Sequence, residues 1–493
     1  MAFIDGTVVN VALPVMQVDL HASIVDAQWI VVAYSLFLAA LILVGGSIGD
    51  HYGRKRACLT GVVVFMAASA WCGFAHDAQQ LIAARAIQGV GAALLIPNSL
   101  AIISASFDQS SRGKAIGTWS SLTAVTAVIG PVLGGWLTQH ASWRWVFFIN
   151  VPVGVAVLLI AWWRVPESRD SDAAQHLDWW GATFGTIGLA GVSYGCIFSS
   201  QFGWGDPSII VSLVVGACAL ALFVLAEARG KAPMLPVDLF RSRIFSGVNI
   251  VTFLLYAALG GALFLVPFNL IQIHGYSPTA AGLALLPFVA LLFALSRWSG
   301  ALVDTYGARV PLIAGPAIAG IGFALFALPG SGGSYWVTFF PAALVLGFGM
   351  AITVAPLTTA VMSSVSDAKM GIASAVNNAV ARTASLLAVA FFNVMAIAVF
   401  TAGLSHGLTA MHAPPDLARA MSAQRLNMAA AQPPSGIEPV LAHAARAAVV
   451  ASYVMAFRVA LLAGSVMALA SALVAGVTYA RVKKVKAASK RAA

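Results

Sequence analysis

Several ionisable side chains stand in runs that are otherwise apolar, and three are singled out. Asp5 interrupts 1–18, Arg85 interrupts 79–105 and Arg382 interrupts 372–402. Such groups are costly in hydrophobic surroundings and mark functional sites by default. A carboxyl there can take up and release a proton. A guanidinium stays charged and must find an acceptor or water. Gln88 follows Arg85 by three residues, so on a helix the two share a face. Further groups are defined by spacing. Gly46, Asp50, Gly53, Arg54 and Lys55 close one apolar run, with glycine suited to a tight turn and Asp50 able to cap a helix N-terminus. Gly130, Pro131, Gly134 and Gly135 can bend a helix and admit a neighbouring backbone. No Ser-His-Asp set, metal-ligand cluster or phosphate-cradling loop is present, so the chain reads as a non-enzyme with no cofactor and no metal. Cys58, Cys72, Cys196 and Cys218 all lie in apolar runs and read as small buried residues.

Elements able to hold such groups follow from composition. Of 493 residues, 60% are hydrophobic and only 9% charged, against ~25% charged in a soluble domain. Mean hydropathy is +0.90. So few charges cannot cover a globule of this size, which excludes a cytosolic enzyme or a nucleic-acid-binding protein despite the net charge of +10. Lipid cannot satisfy free backbone groups, and the long, non-alternating apolar runs favour helices over a barrel. Fourteen runs of spanning length can be drawn, the fifth over 114–138. With both termini in the cytoplasm, 19 of the 27 Lys and Arg fall inside, four outside and four within helices, as the positive-inside bias requires. The expected organisation is an N-terminal six-helix half (1–163), two inserted helices with flanking loops (164–244) and a C-terminal six-helix half (245–480). That second half carries a long periplasmic loop (403–449), and a basic cytoplasmic tail follows (481–493).

The chain repeats itself. Gly46-x-x-x-Asp50-x-x-Gly53-Arg54-Lys55 recurs as Gly300-x-x-x-Asp304-x-x-Gly307-Ala308-Arg309, an offset of 254 residues. Two parallel halves of six helices are the arrangement of major facilitator transporters. Four motifs resemble that superfamily, specifically its 14-helix drug:proton antiporter branch. Ile4-Asp5-Gly6-Thr7-Val8-Val9-Asn10-Val11-Ala12-Leu13-Pro14 is similar to the helix-1 signature. The Gly46–Lys55 stretch matches the loop motif. Arg85-Ala86-Ile87-Gln88-Gly89 is similar to the helix-4 motif, and Gly130-Pro131-Val132-Leu133-Gly134-Gly135 to the antiporter motif. The chain departs at Thr126, where the antiporter motif has glycine, and at Ala308, where the first loop copy has Arg54. Only four residues precede Asp5, short for a span, so a native start upstream is expected.

The resemblance implies a proton-coupling role for Asp5 with Arg85 and Gln88 beside it. The cytoplasmic loop residues, with Asp304 in the repeat, read as an inner gate, Asp50 capping a helix of the other half. The resemblance also implies a substrate cavity, for which Trp29, Tyr34, Asn98, Trp119, Asn249, Tyr256, Asn269, Gln272, Asn377 and Arg382 are the polar and aromatic candidates. The implied activity is proton-driven export of lipophilic compounds by alternating access across the cell inner membrane, energised by the proton gradient. Export of one endogenous metabolite is the alternative, and a non-transporting membrane sensor is a third reading. Expected partners are a small lipophilic substrate and membrane lipid, with no nucleic acid. The chain is expected to act as a monomer, with a periplasmic adaptor and outer-membrane channel as further candidate partners.

Overall fold

The structure is a computed structural model and describes residues 1–107, 129–169, 178–230, 235, 237–365 and 370–492. Trp119, Thr126 and the first part of the run 114–138 lie outside the described residues. The remainder is helical. The first elements are α1 (Ala2–Asp19), α2 (Ile24–Tyr52), α3 (Arg54–Phe74), α4 (Ala78–Ser106), α5 (129–140), the single turn α6 (Trp145–Phe148) and α7 (Asn150–Arg164). Then come α8 (Trp179–Phe202), α9 (Pro207–Arg229), α10 (Arg243–Phe268), a π-helical turn (Asn269–Ile273), α11 (Pro278–Ala284) and α12 (Leu286–Tyr306). The chain ends with α13 (Arg309–Phe326), α14 (Tyr335–Ser363), α15 (Met370–Ala410), α16 (Pro415–Ala423), a 3-10 turn (Arg425–Ala430) and α17 (Pro439–Ala492).

Polar caps set several starts. Ser23 and Asp26 form a reciprocal capping box on α2, and the Asp77, Asp178 and Asp206 carboxylates accept from the first turns of α4, α8 and α9. Among the described residues, twelve helices are long and apolar enough to cross a membrane. The polar-studded α1, with Asp5, Asn10, Gln17 and Asp19, is not one of them. The stretch 403–449, read from sequence as loop, is largely helical. α15 continues to Ala410, α16 lies within the stretch, and α17 begins at Pro439. Polar residues alone do not end a helix. The breaks fall beside Pro414, Pro415, Pro433 and Pro434, where the imino ring removes a donor and clashes with the preceding turn.

Two compact units form. The first holds 1–234, 267–283 and 419–434; the second holds 235–266, 284–418 and 435–493. In the first, α4 packs on both α2 and α3, and α8 packs on α9 and α2. In the second, α14 packs on α12 and α13, and α17 on α13 and α15. Each unit contains a crossing of repeat-related helices made by a reciprocal glycine pair, and the first unit has another at Gly191 and Gly216 between α8 and α9. A Cβ on Gly91 would lie 2.9 Å from Cα of Phe65 and 3.0 Å from the Gly61 carbonyl oxygen, while one on Gly61 would lie 2.8 Å from the Gly91 oxygen. In the second unit Gly349 meets Cα of Ala319 at 2.9 Å and the Gly315 oxygen at 2.8 Å, and Gly315 meets the Gly349 oxygen at 2.9 Å. Gly61 to Gly315 and Phe65 to Ala319 are both offsets of 254, the offset of the loop motif. The repeat therefore extends from sequence into helix packing.

Both motif copies also turn on a glycine with positive φ, +114° at Gly53 and +70° at Gly307, each donating its N–H to a carbonyl four residues back. The Gly53 Cβ position lies 2.7 Å from the Glu167 carboxylate, whereas that of Gly307 is open. Gly53→Ala should therefore lower the melting midpoint in detergent more than Gly307→Ala. The latter carries only the left-handed backbone penalty of ~1–2 kcal/mol.

Candidate functional site

Asp5, Arg85 and Gln88 meet in one buried cluster, exposed by 1%, 1% and 0% respectively. α1 supplies Asp5 from its first turns, and the shared face of α4 supplies the other two. Arg85 Nη1 pairs with Asp5 Oδ2 and also donates to Gln88 Oε1 at 2.6 Å; its Nε donates to the Ile30 carbonyl of α2 at 3.1 Å. The guanidinium carbon sits 4.3 Å from the centre of the Tyr34 ring, a cation–π contact strengthened by desolvation. Asp5 Oδ1 accepts from Gln88 Nε2 at 2.9 Å and from Asn150 Nδ2 at 3.2 Å. Both amides also donate to Ser69 Oγ, at 3.2 and 3.0 Å, and Ser69 in turn donates to the Phe147 carbonyl at 2.9 Å.

The chemical content of this cluster is specific. A buried ion pair is tolerable only when its remaining hydrogen-bonding positions are filled, and here three side chains donate to one carboxylate. Through this one carboxylate, side chains of α1, α4 and α7 are tied together, with Ser69 of α3 bridging the two amides. Ser69 and Asn150 were not singled out from sequence. The signal for Asn150 was present, since it is the one amide in the run 143–163.

At one end of α2 and α3 the loop motif makes bonds of its own. Asp50 Oδ1 accepts from Arg54 at 2.8 Å within the motif itself. The carboxylate at the N-terminus of α3 belongs to Glu167, which accepts from the backbone amides of Lys55 at 2.9 Å and Arg56 at 3.3 Å. An anion there is favoured by the unpaired amides and the dipole of the helix. Arg54 N donates to the Ser168 carbonyl at 2.9 Å and Lys55 Nζ to the Trp162 carbonyl at 2.9 Å, so the segment after α7 is fastened to α3. Glu167 lies more than 110 residues from its partners, which hid it from motif reading. Gly46 faces Pro97, 3.5 Å from its Cβ position, and Asp304 lies on α12 just before its end.

In the antiporter motif, a Cβ on Gly130 would overlap the Thr7 hydroxyl and one on Gly134 would come within 2.7 Å of the Val8 carbonyl, so α5 presses on α1. Gly135 faces the Pro278 carbonyl, and Gly282 of α11 faces that of Pro131. Beyond the membrane runs, Asp19 Oδ2 accepts from the Trp143 indole N–H at 2.7 Å and from Arg144 Nη1 at 3.1 Å, which holds that carboxyl below the usual range.

The cavity candidates divide. Trp29 packs against Tyr194 and Phe198 of α8, with centroids 6.4 and 6.0 Å apart. Tyr34 lies under Arg85, and Asn98 is spent on the Gly45 carbonyl at 2.8 Å and the Leu94 carbonyl at 2.7 Å. These three serve packing and helix ties here, because their faces of α2 and α4 point at neighbouring helices. Gln272 Nε2 donates to Gln17 Oε1 at 3.0 Å, next to buried Asn269 in the π-helical turn. In the second unit Asn377 Nδ2 donates to Asn249 Oδ1 at 3.1 Å and Thr252 Oγ1 at 2.7 Å. Ser385 donates to the Tyr256 carbonyl at 3.1 Å, and Arg382 lies on α15 between Asn377 and Ser385. Polar side chains of α10 and α15 thus converge on one stretch of their contact.

Comparison with known proteins agrees with this architecture. A family model described as Major Facilitator Superfamily matches residues 1–389. The methylenomycin A resistance protein of Bacillus subtilis (strain 168) is 35% identical over 399 residues, covering 80% of this chain and 84% of its own. The puromycin resistance protein pur8 of Streptomyces alboniger is 33% identical, covering 83% of this chain and 82% of its own. A solved inward-facing, occupied bacterial homologue of the human lysosomal transporter Spinster superposes with a TM-score of 0.65 at 18% identity. It covers 97% of this chain and 93% of that one, and at such identity it speaks for the fold alone. The matched length and these relatives place the chain in the Major Facilitator Superfamily, as a multi-pass membrane transporter and not an enzyme.

Proposed function

We propose that this chain exports lipophilic, drug-like compounds across the cell inner membrane in exchange for protons, with Asp5 as the proton carrier. The observation that carries this reading is the buried Asp5–Arg85–Gln88–Asn150 network, a titratable group whose protonation must rearrange several helices at once. The names of the relatives, resistance to methylenomycin A and to puromycin, support export as the direction. Fourteen spans with both termini cytoplasmic complete the proposal, α1 and the segment containing α5 joining the twelve apolar helices. The chain works as a monomer without a cofactor, with an adaptor and outer channel as the partners to look for. Alternating access needs a ligand that distinguishes the two states. The proton does so at Asp5 by cancelling the charge that fixes Arg85.

Sequence similarity also favours a narrower reading, export of one compound. Similar proteins include a tetracenomycin C resistance and export protein of Streptomyces glaucescens, 30% identical and named for a single product. Expression in an efflux-deficient host against a panel of toxic compounds separates the two: protection against several chemical classes supports broad export, protection against one supports the narrow reading. Everted vesicles test coupling. Substrate-dependent proton movement is expected, and substrate binding without flux would mean a sensor.

Charge sets a further expectation. Multivalent cations favour carboxylates in the membrane, and Asp5 is already held by Arg85. Arg382 adds a second cation on α15. Neutral, anionic and monocationic lipophiles should be exported in preference to dications. Equal protection against a dicationic and a monocationic biocide of matched lipophilicity would contradict this.

A further inference from the structure

A groove of about 340 Å³ opens where α2, α3 and α4 meet the segment after α7. Its walls are apolar, formed by Ile48, Ala57 and Leu94. Its remaining lining is Thr60, the exposed Tyr52 and two guanidinium groups, Arg56 and Arg169. The groove is built rather than incidental. Arg54 N bonds to the Ser168 carbonyl and Glu167 bonds to the amides of Lys55 and Arg56, which fixes Arg169 beside α2.

Among the described residues, positive charge in this region exceeds negative. Arg54 is matched by Asp50. Glu167 is committed to the backbone amides of Lys55, Arg56 and Ser168 and reaches the Arg56 side chain only at 3.8 Å, with that side chain 73% exposed. Lys55 is taken by the Trp162 carbonyl. Arg56 and Arg169 therefore face the groove with cationic capacity to spare. Two arginines over an apolar slot match a molecule with a phosphate at one end and hydrocarbon at the other. Guanidinium forms forked bonds to phosphate oxygens. The Lys- and Arg-rich end of these helices is the one that charge bias assigns to the inner leaflet, where anionic lipid is concentrated.

We infer that this groove binds an anionic glycerophospholipid of the inner leaflet, its phosphate held by Arg56 and Arg169 and one acyl chain lying along Ile48, Ala57 and Leu94. The site lies beside the Asp50–Arg54 pair but does not depend on the transport reading, since binding is measured without substrate.

The test uses the full chain in detergent, with native mass spectrometry and melting midpoints as readouts. The probes are phosphatidylglycerol, phosphatidylcholine and inorganic phosphate. Phosphatidylglycerol should bind and raise the midpoint, phosphatidylcholine much less, and inorganic phosphate not at all. The double variant R56Q/R169Q should lose about tenfold or more in affinity for phosphatidylglycerol, each neutralised contact costing several-fold. A control variant, R419Q, should not. Equal binding of phosphatidylcholine, or unchanged binding by R56Q/R169Q, overturns the inference. So does a midpoint shift by inorganic phosphate matching that of the lipid, which would mean a free-anion site. If R56Q/R169Q does not fold, L94W, which fills the apolar slot and keeps both charges, must lose lipid binding for the inference to stand.

Discussion

Asp5→Asn is expected to abolish export against a gradient and the proton release that substrate triggers from solubilised protein, while Asp50→Asn keeps that release. Asn preserves size and hydrogen bonding but cannot titrate. Two effects must be separated. Removing the anion leaves Arg85 buried without its charge partner, and breaking one side of a buried pair costs roughly 3–5 kcal/mol. A drop in melting midpoint is therefore expected in Asp5→Asn, from packing chemistry alone. The double variant Asp5→Asn/Arg85→Gln removes both charges and should regain much of that stability, since Asn150 and Gln88 can donate to an amide oxygen as they do to the carboxylate, and Ser69 keeps its bonds to both. It should not regain coupled export. Recovery of transport in the double variant, or normal proton release in Asp5→Asn, would place the proton site elsewhere. Asp50→Asn loosens the contact with Arg54, in which both partners are partly exposed; such a pair contributes only ~0.2–1 kcal/mol. It should slow transport and leave proton stoichiometry unchanged.

Gly91→Ala and Gly349→Ala should each lower the melting midpoint sharply, whereas Gly185→Ala should raise it or leave it unchanged. The chemical change is identical at all three positions. In a helix interior, alanine is favoured over glycine by ~0.8–1 kcal/mol. On α8 the added methyl of residue 185 would meet the Phe223 ring at 3.6 Å, ordinary contact. At Gly91 and Gly349 it would meet Cα of the facing helix at 2.9 Å, with backbone atoms that have no rotamer to change. The helices must move apart, and overpacking of this kind costs ~1–3 kcal/mol or more. Size-exclusion profiles and melting curves of the three variants decide it. A tolerated Gly91→Ala would mean that α3 and α4 are not pressed together at this point.

Much of this was legible in the sequence, for identifiable reasons. Apolar runs announce helices because lipid leaves the backbone no other partner. Asp5, Arg85 and Gln88 stand out because charges and amides are rare at such depth. What stayed hidden was orientation. Trp29 and Asn98 sit on α2 and α4, but which neighbour their faces meet depends on helix tilt and rotation, which packing sets and run length does not. Ser69 escaped because a hydroxyl in an apolar run usually bonds its own helix; here it bonds the Phe147 carbonyl instead. Glu167 escaped because its partners lie far along the chain, and the break after Ala410 was obscured because polar residues do not stop helices.

The glycine pairs also bear on how the chain arose. If the two halves descend from one duplicated segment, their side chains have since been free to change, and Phe65 in one half corresponds to Ala319 in the other. Yet the backbone around those two positions meets its glycine partner in nearly the same geometry in both halves. Side-chain packing can be rewritten one residue at a time, each loss repaired by a neighbour. Main chain pressed against main chain offers no such intermediate. These crossings are therefore places where the two halves keep the same backbone contact while the side chains around it differ.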